Sequence, residues 1–437
     1  LEKLGWQSLG TAFDCTCGVR HSLPIEVCHI GEGAARELGR FAKDRCGGSC
    51  LLISDENTRH AGGEAVLAAL RDHKIKVGEK VYPAQGLEAT QEHAEAVADA
   101  GHQASFYVAV GAGTLADLAK AAGSAEGKPV LLFPTAASMN GYSSGIVALK
   151  VRGLKRTLPC TPAMGIFANP EVVATAPQRM TAAGVADFLS KCSSSADWQA
   201  AHLLRGGYYC HRPREFNEDI QERLFAQADA IGRGEPEAVR LVLEALLLSG
   251  FGMVMAGSSA PASGGEHLLS HYLDMKHAVN GTPHDLHGIQ VGVGTVYALE
   301  LWEQVLALNP ADLDIPSLVR AQPSEETVRE RVIEDWGPAI GEEVWAQWTQ
   351  KALDPRALEA ELRLFCEKLP ELRAALAKDL QPAATVAACI ETVGGPTTPE
   401  GMEASVEEYR KAQKYARYLR DRFTVLDLAA ELGLAPA

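Results

Sequence analysis

Apolar positions recur along this chain on two periods, and the period changes once. Up to about residue 135, short apolar runs such as CLLIS (50–54), FYVAV (106–110) and VLLF (130–133) are separated by stretches whose apolar residues fall at helical spacing. Such runs, bounded by turn residues and interleaved with amphipathic helices, are the pattern of βαβ units around a parallel sheet. Strands are predicted at Cys50–Ser54, in KVGEKVYP from Lys76, at Phe106–Val110 and at Val130–Phe133. Helices are predicted after Asp55 through Leu70, at Ala89–Gly101 and from Thr114 onward. Beyond Pro170 strand alternation gives way to long helical patterns: Ala182–Leu204, Asn217–Gly232, Glu235–Met255, and so on through Val406–Leu434. The expectation is an α/β N-terminal domain with a Rossmann-like parallel sheet (1–178) and an all-helical C-terminal domain (179–437), the boundary lying near Ala176 to Thr181.

Composition narrows the class. With 437 residues, 46% hydrophobic and 22% charged, the chain has material for two cores and lacks the bias of a disordered protein. A formal charge of −15 argues against a nucleic-acid or anionic-membrane surface. The longest apolar segment, Leu246–Ala256, is too short to span a bilayer, and no signal-peptide pattern opens the chain, so a cytoplasmic location is expected. The ten cysteines form no C-x-x-C pair. Cys15 with Cys17 and Cys46 with Cys50 do not make the two-pair pattern of a structural zinc site, and all ten are read as reduced thiols.

Three stretches carry candidate chemistry. In FYVAVGAGTLADLAK a strand runs into a Gly111-x-Gly113 turn and a helix that carries Asp117 and Lys120. Backbone N–H groups and the positive helix end there suit a pyrophosphate, or the turn is simply tight. The next strand leads into a loop rich in small hydroxyl residues, Thr135, Ser138, Ser143 and Ser144, at the end of a parallel strand where such sheets bind ligands. The third stretch, Ser263 to Gly294, holds five of the thirteen histidines. His267 and His271 are four apart and share a helix face, and His287 opens a second helix after a Gly-Thr-Pro turn. A metal site needs about three ligands, of which His267 and His287 supply two. Asp187, near the start of the first helix after the domain boundary, is the first candidate and Asp197 the fallback. His277 and His284 are read as bystanders.

Taken together, GAGTLADLAK, FPTAASMNGYSS, GVADFLSKCSSSADW, SGGEHLLSH, LHGIQVGVGT and RDRFTVLD resemble the glycerol-1-phosphate dehydrogenases, a branch of the iron-containing alcohol dehydrogenase and glycerol dehydrogenase superfamily. The likeness runs in order over nearly the whole chain, with a helical last third longer than in compact archaeal members. It implies a dehydroquinate synthase-like architecture and a metal-dependent NAD(P)H oxidoreductase that interconverts dihydroxyacetone phosphate and sn-glycerol 1-phosphate. It also implies a divalent ion on Asp187, His267 and His287, zinc in the first place, with nickel or iron as other occupants.

By the same resemblance, NAD(H) or NADP(H) is contacted by Gly111, Gly113, Thr114, Leu115 and Asp117, by Thr135, Ala136, Ala137 and Ser138, and by Ser144, with Asp55 on the adenosine ribose. Substrate contacts fall on Asn140, Asp187 and His271, with His271 as proton relay. The family usually has Asp where this chain has Asn140, an amide that cannot act as a base. The additional metal histidine of the iron enzymes would fall at Lys191. A phosphorylated ketone needs cations, and Lys155 and Arg156 are the candidates, with Lys191 behind them. The partner expected is a small phosphorylated ketone or alcohol, without nucleic acid or membrane, and the chain is expected to form a homo-oligomer. The alternatives are another polyol or sugar-phosphate dehydrogenase, made plausible by Asn140, and a dehydroquinate synthase-like lyase.

Overall fold

The computed structural model describes residues 3–152 and 154–435. Contacts divide the chain into two compact units. The first comprises Leu1–Phe188, His211–Ser259 and Thr392–Gly395, the second Leu189–Cys210, Ala260–Glu391 and Pro396–Ala437. Where the sequence suggests one boundary at 178/179, the polypeptide thus passes between units several times.

The first unit is built on strands β1 (Ala12–Asp14), β2 (Arg20–Ser22), β3 (Val27–Ile30), β4 (Ser49–Asp55), β5 (Lys76–Tyr82), β6 (Phe106–Gly111), β7 (Val130–Pro134), β8 (Ile146–Val151), β9 (Leu154–Pro159) and β10 (Gly165–Ala168). Six of them form one sheet in the order β3-β10-β7-β6-β4-β5, with every pairing parallel. Its middle strands are apolar throughout because helices cover both faces. β6 and β7 are buried at every position. β5 is an edge strand, and its exposed charged residues Lys76 and Glu79 discourage further pairing. From β4 the chain moves outward to β5, then returns to place β6 on the other side of β4 and continues to β7. The carboxyl ends of β4 and β6 therefore flank a topological switch point, where open α/β sheets bind ligands.

All four sequence-predicted strands are present within a residue or two at each end. The sequence reading missed β3 and β10, four residues each, and the antiparallel hairpins β1–β2 and β8–β9. The segment after Ser144 forms the β8–β9 hairpin, turned through Arg152 at φ 50°. The helix Pro236–Ala256 also belongs to this unit. It is long and apolar enough to cross a bilayer, yet 83% of its apolar window is buried, as in a helix hydrophobic all round that lies in a core.

The second unit is helical, and among the described residues no strand follows Ala168. The run predicted at 182–204 is two helices, Gln178–Leu189 and Lys191–Arg205. The run predicted at 406–434 breaks into Val406–Tyr415, a 3-10 turn Ala416–Leu419, and Val425–Glu431. Thr424 caps that last helix through a capping box with Asp427, which is why the helical pattern cannot run through it. Asp197 is the hub of the unit. Its carboxylate accepts from the backbone N–H of Gly265 (2.7 Å) and Val425 (3.0 Å) and from the Trp302 indole (3.0 Å), so three helices meet on one buried side chain. Burial and the neighbouring Glu266 carboxylate push its carboxyl well above the ordinary range. With its oxygens so engaged, Asp197 is a structural anchor, and its fallback role as a metal ligand is withdrawn.

Candidate active site

At the switch point, β6 ends in Gly111 and the helix Gly113–Glu126 begins two residues on, behind Ala112 as N-cap. No side chain caps it, whereas Asp55 and Thr90 do cap the helices that follow them. The first N–H groups of a helix have no partner inside it, so Gly113, Thr114 and Leu115 present donors and the positive helix end on the ligand side of the sheet. That geometry fits a dinucleotide pyrophosphate. The Thr135 N–H donates to the Gly111 carbonyl at 3.2 Å and ties the two strand ends together. Asp55 stands at the tip of β4, on the other side of the switch point, where one carboxylate oxygen accepts from the Thr58 N–H at 2.8 Å.

The other residues that resemblance assigns to the cofactor lie deeper. Asp117 is buried, and one of its oxygens accepts from the Ala148 N–H at 3.0 Å, fastening the helix to β8. Burial pushes its carboxyl up, against the opposing pull of Lys120. Ser144 is fully buried too, with its hydroxyl donating to the carbonyls of Gly141 and Ile146. The structure turns both side chains into the protein. Among 135–138, Ser138 meets the Tyr142 hydroxyl at 3.5 Å, and Ala136 accepts from it at 2.7 Å.

Lys120 lies on the same helix. Its ammonium is fully buried and donates to the carbonyls of Gly141 (2.6 Å), Ile146 (2.8 Å) and Ser144 (3.2 Å), with Asp117 at 3.7 Å. One charge thereby holds the whole turn 141–146, and with it Asn140. The turn is also pressed between helices. A Cβ on Gly184 would lie 1.9 Å from the Ala137 carbonyl oxygen, and one on Gly250 would lie 2.0 Å from the Ser143 hydroxyl, so only glycine admits these approaches. The result is that Asn140 meets Asp187 directly. The Asn140 N–H donates to one carboxylate oxygen at 2.8 Å and its side-chain amide to the other at 3.4 Å. Asp187 is fully buried, near the end of the helix Gln178–Leu189.

In the second unit the helices Gly265–Asn280 and His287–Ala307 bring three imidazoles together. Ring centroids are separated by 5.3 Å for His267 and His287, 5.8 Å for His271 and His287, and 6.1 Å for His267 and His271. Two of the rings are oriented through Nδ1. In His267 that nitrogen meets the Glu266 carboxylate at 2.9 Å, and in His287 it meets the Ser270 hydroxyl at 3.0 Å. The Glu266 carboxylate accepts the Nδ1–H of His267 and leaves that ring's Nε2 lone pair as the donor, while the Ser270 hydroxyl orients the His287 ring. Glu266 is itself held by the Gly264 N–H (2.6 Å) and the Ser193 hydroxyl (3.0 Å). Burial would raise its carboxyl, but His267 and the backbone N–H bonds outweigh that and hold it below the ordinary range. Gln290 steadies Ser270 by donating to its hydroxyl (3.0 Å) and to Asp274 (2.9 Å). None of these supporting residues was singled out from the sequence, although Glu266 sits in SGGEHLLSH beside its histidine.

The remaining candidates are scattered. Lys155 and Arg156 lie on β9, opposite Lys150 and Leu149. Lys191 is buried and donates to the Ser190 hydroxyl (2.9 Å) and the Ala262 carbonyl (3.3 Å). His277 and His284 stack on each other with centroids 3.7 Å apart, and His277 Nδ1 meets the Thr282 carbonyl at 2.8 Å.

The switch-point glycine turn and the imidazole cluster define a dehydrogenase of the iron-containing alcohol dehydrogenase class, and comparison with known proteins agrees. Residues 29–177 match the iron-containing alcohol dehydrogenase family. Solved structures share the fold: a 1,3-propanediol oxidoreductase aligns over 94% of this chain and 97% of its own with a TM-score of 0.61 at 15% identity. The glycerol dehydrogenase of Schizosaccharomyces pombe aligns over 81% and 92% with a TM-score of 0.55 at 16% identity. Closer in sequence are glycerol-1-phosphate dehydrogenases [NAD(P)+]. That of Bacillus licheniformis is 28% identical over 97% of this chain and 93% of its own, and that of Bacillus velezensis 30% over 77% and 89%. That of Thermococcus kodakarensis is 35% identical over 65% and 80%. The chain belongs to this glycerol-1-phosphate dehydrogenase family.

Proposed function

We propose that the chain is a metal-dependent NAD(P)H oxidoreductase interconverting dihydroxyacetone phosphate and sn-glycerol 1-phosphate, with a divalent ion held by Asp187, His267 and His287. The observation that carries the reading is the pair of imidazoles, His267 and His287, each oriented through its Nδ1 partner. Two neutral imidazoles and one carboxylate suit a borderline divalent ion, zinc before the others, with a coordination position left open. When bound, such an ion would polarise a ketone oxygen, and the reduced nicotinamide would supply the hydride.

The chain's own groups do the rest. The uncapped N–H groups at Gly113–Leu115 receive the pyrophosphate, while the turn held by Lys120 keeps Asn140 on Asp187. Asn140 thereby fixes the carboxylate's orientation, and its amide offers a hydrogen bond to a substrate hydroxyl. His271, beside both ligand rings, passes the proton to or from the substrate oxygen at one of its ring nitrogens. Lys155 and Arg156 supply cationic charge for the phosphate. Asp55 accepts from the adenosine ribose hydroxyls, which favours NAD(H). A cytoplasmic homo-oligomer accompanies this reading.

Asn140 also supports a second reading, another polyol or sugar-phosphate dehydrogenase, because an amide replaces the family's acidic residue at the substrate. Loss of NADH absorbance with a panel of phosphorylated and free ketones separates the two. Turnover of dihydroxyacetone phosphate well above the others is expected. Turnover of free ketones alone would overturn the first reading in favour of the second.

A further inference from the structure

A second group of metal-type donors lies away from this site, at the hairpin β1–β2. Its loop reads Cys15-Thr-Cys17-Gly18-Val19, closed by hydrogen bonds from the Cys15 N–H to Val19 (3.1 Å) and from the Gly18 N–H to Cys15 (3.0 Å). Gly18 sits at φ 85°, a left-handed turn that a side chain would strain. The turn sets both cysteines beside His21, which pairs with Phe13 across the hairpin. The Cys17 sulfur is 3.3 Å from His21 Nε2, and the ligand atoms of Cys15, Cys17 and His21 all lie within 4.8 Å of one another. Around a tetrahedral zinc ion, sulfur and nitrogen donors stand roughly 3.5–3.8 Å apart.

His21 carries the mark of a ligand imidazole. It is 1% exposed, and its Nδ1 donates to the Met255 carbonyl at 2.5 Å, so the Nε2 lone pair is the one turned toward the sulfurs. The cysteines form no disulfide.

We propose that Cys15, Cys17 and His21 form a site for a zinc ion, with two thiolates and one imidazole as donors. Through His21 and Met255 it pins the N-terminal hairpin to the end of the helix Pro236–Ala256. Two soft thiolates select zinc or cobalt over the harder ions that a carboxylate-containing site admits. The spacing C-x-C-x3-H holds no second cysteine pair, so it falls outside the two-pair pattern.

The test counts metal and reads sulfur ligation, independently of any dehydrogenase activity. The full-length His267→Ala protein, purified and treated briefly with EDTA, is expected to retain about one zinc per chain by mass spectrometry. Cys17→Ser added to it should remove that ion. Because the double variant can fail to fold, unmodified protein exchanged with cobalt provides a second measurement. Thiolate-to-cobalt charge-transfer absorption in the near ultraviolet is expected, with Cys15 and Cys17 shielded from a thiol reagent until the metal is removed. A His267→Ala protein without zinc, or cobalt-loaded protein without a thiolate signature, would overturn the proposal.

Discussion

Replacing Lys120 by Met removes the charge that organises the 141–146 turn while keeping the length of the side chain. Three buried carbonyls, of Gly141, Ser144 and Ile146, lose their donor, and Asp117 loses the cation 3.7 Å away. Removing one partner from a buried ionic group costs about 3–5 kcal/mol, and hydrogen bonds to a charge are individually worth about 1.5–3 kcal/mol. The Asp117 carboxyl, already raised by burial, then takes up a proton, which limits the total to about 3–4 kcal/mol. In a unit of this size that lowers Tm by roughly 6–15 °C. Because Asn140 hangs on the same turn and holds Asp187 at 2.8 Å, metal affinity and kcat should fall along with stability. Adding Asp117→Asn should return part of the lost stability, since it removes the stranded carboxyl, without returning the affinity. Differential scanning fluorimetry and a chelator competition, run on both variants, check this. A Lys120→Met protein that melts within about 2 °C of the parent and keeps its metal affinity would refute the reasoning.

The other predictions address the imidazole supports, the packing and the pH response. Glu266→Gln keeps an acceptor for His267 but removes the charge that raises the ligand's basicity, so metal affinity should drop about 10–100-fold in a chelator competition. Its effect on Tm should be small, because the same change relieves the repulsion on Asp197. Gly184→Ala places a methyl 1.9 Å from the Ala137 carbonyl oxygen, so the helix must move off the 135–138 loop. A loss of about 1–3 kcal/mol in denaturant unfolding and a raised KM for the cofactor are expected. Glu431, although 3.1 Å from Arg205, is pushed up to about 8 by burial and by Glu361. A carboxyl raised on folding lends stability below its unfolded value near 4.3 and loses it as pH rises through the folded value. Thermal melts of Glu431→Gln should therefore decline less than the parent's between pH 5 and pH 9.

How much of this could be read beforehand follows from the range of the interactions involved. The strands β4, β6 and β7 were legible because a strand buried on both faces announces itself locally as an apolar run. The short strands β3 and β10 have no such signature and exist only because the sheet supplies their partners. The same division separates the site's residues. His267, His271 and His287 stand out by spacing, but their roles are set by what lies at each Nδ1, and Glu266 and Ser270 look like ordinary helix residues until the rings are built against them. Lys120 reads as an exposed helix lysine, since nothing local says that three carbonyls from the next turn will close over it. Asn140 shows the converse. Its identity was conspicuous as a departure from the family's acid, yet only its geometry gives it a task, because two donors facing Asp187 stabilise a carboxylate that a second acid at 140 would repel. An Asn140→Asp protein should therefore hold its metal less tightly at low ion concentration, where two carboxylates compete for one proton. Unchanged affinity across pH 6 to 8 would show that the amide matters to the substrate alone.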